Sequence, residues 1–240
     1  VKATPFEFRN RFWIFGAFYW IGFTFYNVDH VNIVQWIADR YAAPDSLHEL
    51  RLIRMGLGLG ALLCFLCAAL RTWATAYLRA DVMQDSALHA EKIVADGPYR
   101  RVRNPLYLGG VFLALGMGLF MSRLGFVFAV VGVTIFSLRL IGLEEANMKK
   151  ERGEGFAEYC RRVPRLIPAL TARVPASGIQ PHWKQAFLGE LFMWGFFLAV
   201  SVFAITQKAK LLIGIILVSL LPYIIRSYVV AKQNRKNTSV

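Results

Sequence analysis

Six blocks of apolar sequence dominate the chain, at roughly Phe12–Val28, Leu52–Leu70, Leu106–Met121, Leu124–Leu143, Ala186–Ile205 and Leu211–Val230. Several fall at the short end of the ~17–25 residues that an α-helix needs to cross a hydrocarbon core. Backbone inside lipid must satisfy its polar groups internally, and for runs of this length the helix does so. The expected fold is therefore all-α, a polytopic transmembrane helix bundle of about six segments. Only Ser122 and Arg123 separate the third block from the fourth. That pair must form a tight antiparallel hairpin, either spanning or re-entrant. The composition agrees: 56% of the 240 residues are hydrophobic and the mean hydropathy is +0.44, too apolar for an ordinary soluble domain. The expected organisation is one integral membrane domain, 1–240, with N-terminal helices at 12–70, a core at 75–170 and a C-terminal helix pair at 186–230.

The formal net charge is +13. In a soluble chain this would suggest nucleic acid. Here the basic residues sit at helix ends, where they meet the anionic head groups of membrane lipids, so nucleic acid is not an expected partner. With the N-terminus placed in the cytoplasm, only Arg40, Arg51, Arg54, Arg123, Lys208 and Lys210 of the 28 Lys and Arg fall on the opposite side. This asymmetry predicts six spans with both termini cytoplasmic. It also puts the two long polar connections, 71–105 and 144–185, on one side, where they can build a single site. Arg54, Arg139, Glu190 and Arg226 lie just inside segment edges, within snorkelling reach of the interface. Lys2, Arg9 and Arg11 precede an aromatic-rich run in the charge order of a signal peptide. No small-x-small cleavage site follows, so the run reads as a retained first helix. Thr171–Pro181 reads as a turn-rich linker and Lys232–Val240 as a polar tail.

Cys64 and Cys67 form a CxxC inside an apolar run. A metal or redox pair needs polar partners and access, so these read as small apolar residues on one helix face. No metal is expected: His30, His48, His89 and His182 have no metal-ligand spacing, although His89 lies just ahead of the first polar cluster.

That cluster runs Asp96-Gly97-Pro98-Tyr99-Arg100-Arg101-Val102-Arg103-Asn104-Pro105-Leu106-Tyr107-Leu108-Gly109-Gly110. Gly97-Pro98 makes a turn. Asn104 is placed to cap the third apolar helix, with Pro105 at its first position. A helix start offers unpaired N–H groups to an anion, Arg100 and Arg103 add positive charge, and Tyr99 and Tyr107 offer aromatic faces to a cation or flat ring. A basic interfacial loop anchored by tyrosines fits the same residues. The second cluster holds Arg139, Glu144, Glu145, Gly153, Phe156, Tyr159, Arg161, Arg162, Val163, Pro164, Arg165 and Pro168. Two adjacent acids at a membrane helix end need partners. Because neighbours in sequence do not share a helix face, one acid can serve a ligand and the other an arginine. Spacing does not say which.

Together these clusters resemble the isoprenylcysteine carboxyl methyltransferase and phospholipid methyltransferase family of integral membrane enzymes, over about residues 75–170. The family pattern is roughly G-P-Y-R-x-x-R-[HN]-P-x-Y-x-G, a hydrophobic hairpin, E-E-x-x-[L/M], then a glycine, an aromatic, a tyrosine and V-P-R-x-x-P. It is met by Gly97-Pro98-Tyr99-Arg100, Arg103-Asn104-Pro105, Tyr107, Gly109, Glu144-Glu145, Met148, Gly153, Phe156, Tyr159 and Val163-Pro164-Arg165 with Pro168. The resemblance implies S-adenosylmethionine as methyl donor, bound on the cytoplasmic side under the loops joining the helices. The cofactor site it implies comprises Gly97, Tyr99, Arg100, Arg103, Asn104, Pro105, Tyr107, Leu108, Gly109, Glu144, Glu145 and Tyr159. Arg139, Glu144 and Glu145 are the expected catalytic residues, with Arg139 or Arg165 holding an acidic acceptor. Many members carry His at the position of Asn104; an amide there does not titrate near neutral pH and supplies no general base. The implied acceptor is a lipophilic small molecule or lipid, resembling an isoprenylcysteine carboxylate or a phospholipid; a prenylated cysteine carboxylate, a phospholipid amine and a small hydrophobic thiol or acid all remain open. The expected setting is the bacterial inner membrane. The alternative is an NADPH-dependent reductase of the membrane sterol-reductase type, which shares the hairpin and an R-H-P-N-Y-like segment. Asn104-Pro105-Leu106-Tyr107 and the Glu144-Glu145 pair favour the methyl donor. Oligomeric state is not legible in the sequence.

Overall fold

Helices form wherever the apolar blocks lie, but their lengths differ from the blocks. The computed structural model describes residues 2–78 and 95–221. His89, much of the 71–105 connection, Arg226, the end of the sixth block and the tail lie outside the described residues. The helices are α1 (Pro5–Arg9), α2 (Arg11–Thr24), α3 (Ile33–Ala38), α4 (Leu47–Tyr77), α5 (Pro105–Gly118), α6 (Arg123–Arg162), α7 (Trp183–Gly189), α8 (Leu191–Thr206) and α9 (Ala209–Leu221). The described residues are all-α.

Two helices, α4 and α6, are long and apolar enough to cross a membrane. A third span exists if α7 and α8, bent by 60° at their junction, act as one. The expectation of six full spans is therefore not met among the described residues. The first block yields only the 14 residues of α2 before a 3-10 turn at Phe25–Asn27. α5 also has 14 residues, about 21 Å at 1.5 Å per residue, against a hydrocarbon core of ~30 Å. The expected polar connection from 144 is instead largely helical. Charged but helix-favouring residues (Glu144, Glu145, Lys149, Lys150) carry α6 past its apolar stretch. The helix breaks at Gly153, whose φ is 57°.

α4 lies at the centre, packed against α5 and α8; α6 packs on α5, and α2 on α6. Cys64 and Cys67 are buried on α4 with Leu113, Met117 and Val200, as small apolar residues on one face. α2 and α6 approach closely: a Cβ on Gly125 would lie 2.1 Å from the Gly22 carbonyl oxygen. The α5–α6 hairpin is tight, as expected. Ser122 Oγ accepts from the Gly125 N–H at 3.2 Å and caps α6. The segment after α2 locks that turn from outside. Asn32 Nδ2 donates to the Met121 carbonyl at 3.0 Å, and Asp29 pairs with Arg123 at 2.8 Å. That guanidinium holds the Asp29 carboxyl down at about 2.

Glu190, one of the edge charges, is buried against partners on α4 rather than snorkelling to an interface. Arg71 Nε donates to Glu190 Oε2 at 2.7 Å, and Thr75 Oγ1 to Glu190 Oε1 at 3.0 Å. This pair ties the start of the C-terminal helices to α4.

Candidate active site

The motif loop, the start of α5 and the acids of α6 converge at one end of the bundle. Gly97 begins the loop with a φ of 56°, against the Tyr77 ring; a Cβ there would lie 2.4 Å from it. Gly97–Arg100 is a 3-10 turn. Tyr99 is buried behind it, and its carbonyl accepts from the Tyr159 hydroxyl at 2.8 Å.

Glu145 is the hub. Its Oε1 accepts from Arg103 Nε at 2.9 Å and Asn104 Nδ2 at 3.1 Å; its Oε2 accepts from Arg165 Nε at 3.0 Å and Nη2 at 2.8 Å. Burial pushes this carboxyl up, but the bonds from Arg165, Arg103 and Asn104 outweigh it, and the net shift is downward. Arg103 Nη1 also donates to the carbonyls of Cys160 and Val163 at 2.6 and 2.7 Å, satisfying open acceptors at the end of α6. Asn104 occupies the cap position of α5, yet its side chain makes no capping bond. The expected cap is corrected: its Nδ2 is spent on Glu145 and on the Arg165 carbonyl at 3.0 Å. Pro105, lacking an N–H, reduces the need for one.

Glu144 faces elsewhere, since successive helical residues project ~100° apart. Its Oε1 accepts from the Tyr107 hydroxyl at 2.7 Å. Burial raises its carboxyl pKa, against the opposing pull of the Tyr107 bond and the charge of Arg11. The question left open by spacing is thus answered: Glu145 serves the arginines, and Glu144 does not.

Arg139 does not join the two acids. Its Nη2 donates to Glu7 Oε1 and Oε2 at 2.8 and 2.7 Å. Sequence reasoning passed over Glu7, although Thr4-Pro5-Phe6-Glu7 carries a capping-box signature. That box forms: Glu7 N donates to Thr4 Oγ1 at 3.2 Å and Thr4 N to Glu7 Oε2 at 2.6 Å. Leu108 and Gly109 are buried. Gly109 faces α4, where a Cβ would meet Arg71 Cγ at 2.6 Å.

The expected linker is a strap laid along the motif loop. Ala169 N donates to the Arg101 carbonyl at 2.9 Å and Arg173 N to the Arg100 carbonyl at 2.8 Å. Arg100 Nε donates to the Val174 carbonyl at 2.9 Å. The buried Asp96 carboxylate accepts from the N–H groups of Ser177 and Ile179, each at 2.9 Å. A cleft of about 430 Å³ lies between strap, loop and α4, with Trp73, Tyr77, Gly97, Arg100, Arg101 and Ile179 in its wall.

Residues 55–154 match the sequence model of the phospholipid methyltransferase family. Among curated proteins, the chain is 44% identical over 72 residues to a methanethiol S-methyltransferase of Crocosphaera subtropica, covering 30% of this chain and 28% of that one. It is 38% identical over 82 residues to a protein-S-isoprenylcysteine O-methyltransferase of Schizosaccharomyces pombe, covering 32% of this chain and 34% of that one. The chain thus spans about a third of the length of these relatives. No solved structure matches it. The matches do not favour the reductase alternative. The paired motifs begin inside the family match and run past its end, and residues 55–154 are similar to the phospholipid methyltransferase family.

Proposed function

We propose that this chain is an integral membrane methyltransferase that takes its methyl group from S-adenosylmethionine and gives it to a lipophilic acceptor. The observation carrying this reading is the division of labour between the two acids. Glu145 is consumed by Arg103, Asn104 and Arg165. Glu144, beside it, holds only the Tyr107 hydroxyl among the described residues, which leaves an acceptor oxygen for a ligand. The polar groups fit an amino-acid-bearing sulfonium. Glu144 suits an ammonium or hydroxyl, the first-turn N–H groups of α5 suit a carboxylate, and the tyrosine faces suit a cation.

In this assignment Glu144 and Tyr107 touch the cofactor. Gly97, Tyr99, Arg100, Pro105, Leu108, Gly109 and Tyr159 shape its walls, and Glu145, Arg103 and Asn104 fix the geometry. The cofactor supplies the activated methyl and the leaving group; the protein holds the reacting atoms close and in line. The relatives' names span a thiol and a prenylcysteine carboxyl acceptor, so the acceptor atom is a matter for experiment. We further place both termini in the cytoplasm, on the charge asymmetry of the loops, and take a bacterial inner membrane as the setting.

Calorimetric titration of the purified protein with S-adenosylmethionine and with NADPH tests the reading. Saturable binding of the sulfonium alone is expected; saturable binding of NADPH alone overturns it. Labelled methyl transfer into a lipid extract, read by mass spectrometry, then identifies the acceptor.

A further inference from the structure

The segment ahead of the family-matched stretch is built into the site. Ala3 is buried, and its N–H donates to the Arg139 carbonyl at 3.0 Å. Glu7 caps α1 and grips the Arg139 guanidinium with both oxygens. α1 is thereby anchored to α6 about one turn before Glu144. Phe8, Ile14, Phe15 and Phe18 pack with Tyr107 and Leu143 around Ala3, Phe136 and Leu140. The N-terminal helices therefore wall the side of the site where Tyr107 meets Glu144.

One charge on this wall stands out. The Arg11 guanidinium lies over the Phe8 ring at 4.3 Å, and its Nη1 donates to the Phe8 carbonyl at 3.0 Å. Phe8 belongs to the same cluster as Tyr107. Arg11 is exposed, and its charge reaches Glu144. Among the described residues, Arg103 and Arg165 are held by Glu145, and Arg139 by Glu7. Arg11 is held by an aromatic face and a carbonyl instead, and a guanidinium in that setting retains donors for a planar anion.

We propose that the N-terminal segment is the acceptor-side wall of the site and that Arg11 receives the anionic end of a lipophilic acceptor. This deepens the methyltransferase reading and rests on it for the identity of the site. The apolar rings of α2 and α6 flank the tail, and the guanidinium meets a carboxylate at its end. A neutral acceptor of the same shape gains nothing from Arg11.

The test compares binding of a fluorescent S-alkylcysteine amphiphile bearing a free carboxylate with that of its methyl ester. Both are measured on the full chain in detergent without methyl donor. Wild type should bind the carboxylate about tenfold more tightly than the ester, ~1.4 kcal/mol. Arg11→Gln should abolish that preference with ester binding unchanged, and Arg11→Lys should keep most of it. Equal binding of acid and ester by wild type, or an Arg11→Gln variant that weakens both alike, overturns the proposal. A parallel S-adenosylmethionine titration keeps the two readings apart. No acid preference in wild type, or an undiminished preference in Arg11→Gln, with cofactor binding intact sinks the Arg11 assignment alone, whereas absence of cofactor binding in wild type sinks the methyltransferase reading.

Discussion

Positions 144 and 145 hold the same side chain, yet the fold gives them opposite surroundings. Glu145 sits among Arg103, Asn104 and Arg165, and its carboxyl titrates below the ordinary range. Glu144 sits against Tyr107, and burial lifts its carboxyl above that range. The two should therefore fail differently. Glu145→Ala leaves Arg103 with only its carbonyl partners and frees the half-exposed Arg165, a loss on the order of 2 kcal/mol; thermal unfolding in detergent should show a clearly lowered midpoint together with lost cofactor binding. Glu144→Gln keeps an acceptor for the Tyr107 hydroxyl, so its midpoint should hold while S-adenosylmethionine binding falls at least tenfold. Equal destabilisation by both would refute the division. The pH dependence has a sign for each. The stabilisation from Glu145 is present above its unfolded pKa and fades as pH falls through its lowered folded value. The stabilisation from Glu144 is full below its unfolded pKa and fades as pH rises through its raised one.

At the scale of elements, the motif loop depends on one backbone conformation. Gly97 combines a positive φ with contact against the Tyr77 ring, so a side chain there meets both backbone strain and a clash. The left-handed conformation alone costs ~1–2 kcal/mol for an L-residue. Gly97→Ala should lower the unfolding midpoint and displace the loop from α4, which is readable as a changed tryptophan emission from Trp73, beside the cleft. An unchanged midpoint and spectrum would show that the turn tolerates a Cβ. The strap 169–181 is the element least legible in sequence. Its Pro and Gly residues announced turns, but backbone bonds to Arg100, Arg101 and Asp96 make it part of the loop's support. A backbone N–H carries no residue identity, so pairing between two irregular segments leaves no pattern to read. The arginine cluster was more legible, because residues 103, 104, 145 and 165 carry polar groups that an apolar setting forces together.

Across the whole molecule, the family match takes in most of α4, all of α5 and α6 up to its break, while ion pairs on both sides lock the flanking parts onto it. Glu7 reaches Arg139 from the N-terminal side and Glu190 reaches Arg71 from the C-terminal side. The sidedness drawn from charge makes a direct prediction. In a Cys160→Ser background, Lys208→Cys should react with an impermeant maleimide on intact cells, and Arg173→Cys only after permeabilisation. The reverse pattern would invert the topology. The sequence by itself determined that the chain is helical and membrane-embedded, because lipid permits no other satisfied backbone for such apolar runs. It also determined which polar residues gather, because two motifs of fixed spacing carried a resemblance that the family match bore out. Only the tertiary structure decided how many of the described helices are long enough to cross, which glutamate is committed to arginine, and that Arg139 pairs with Glu7 instead of joining the two acids. Those depend on helix length, on the angle between successive side chains and on contacts between residues more than a hundred positions apart, none of which local sequence encodes.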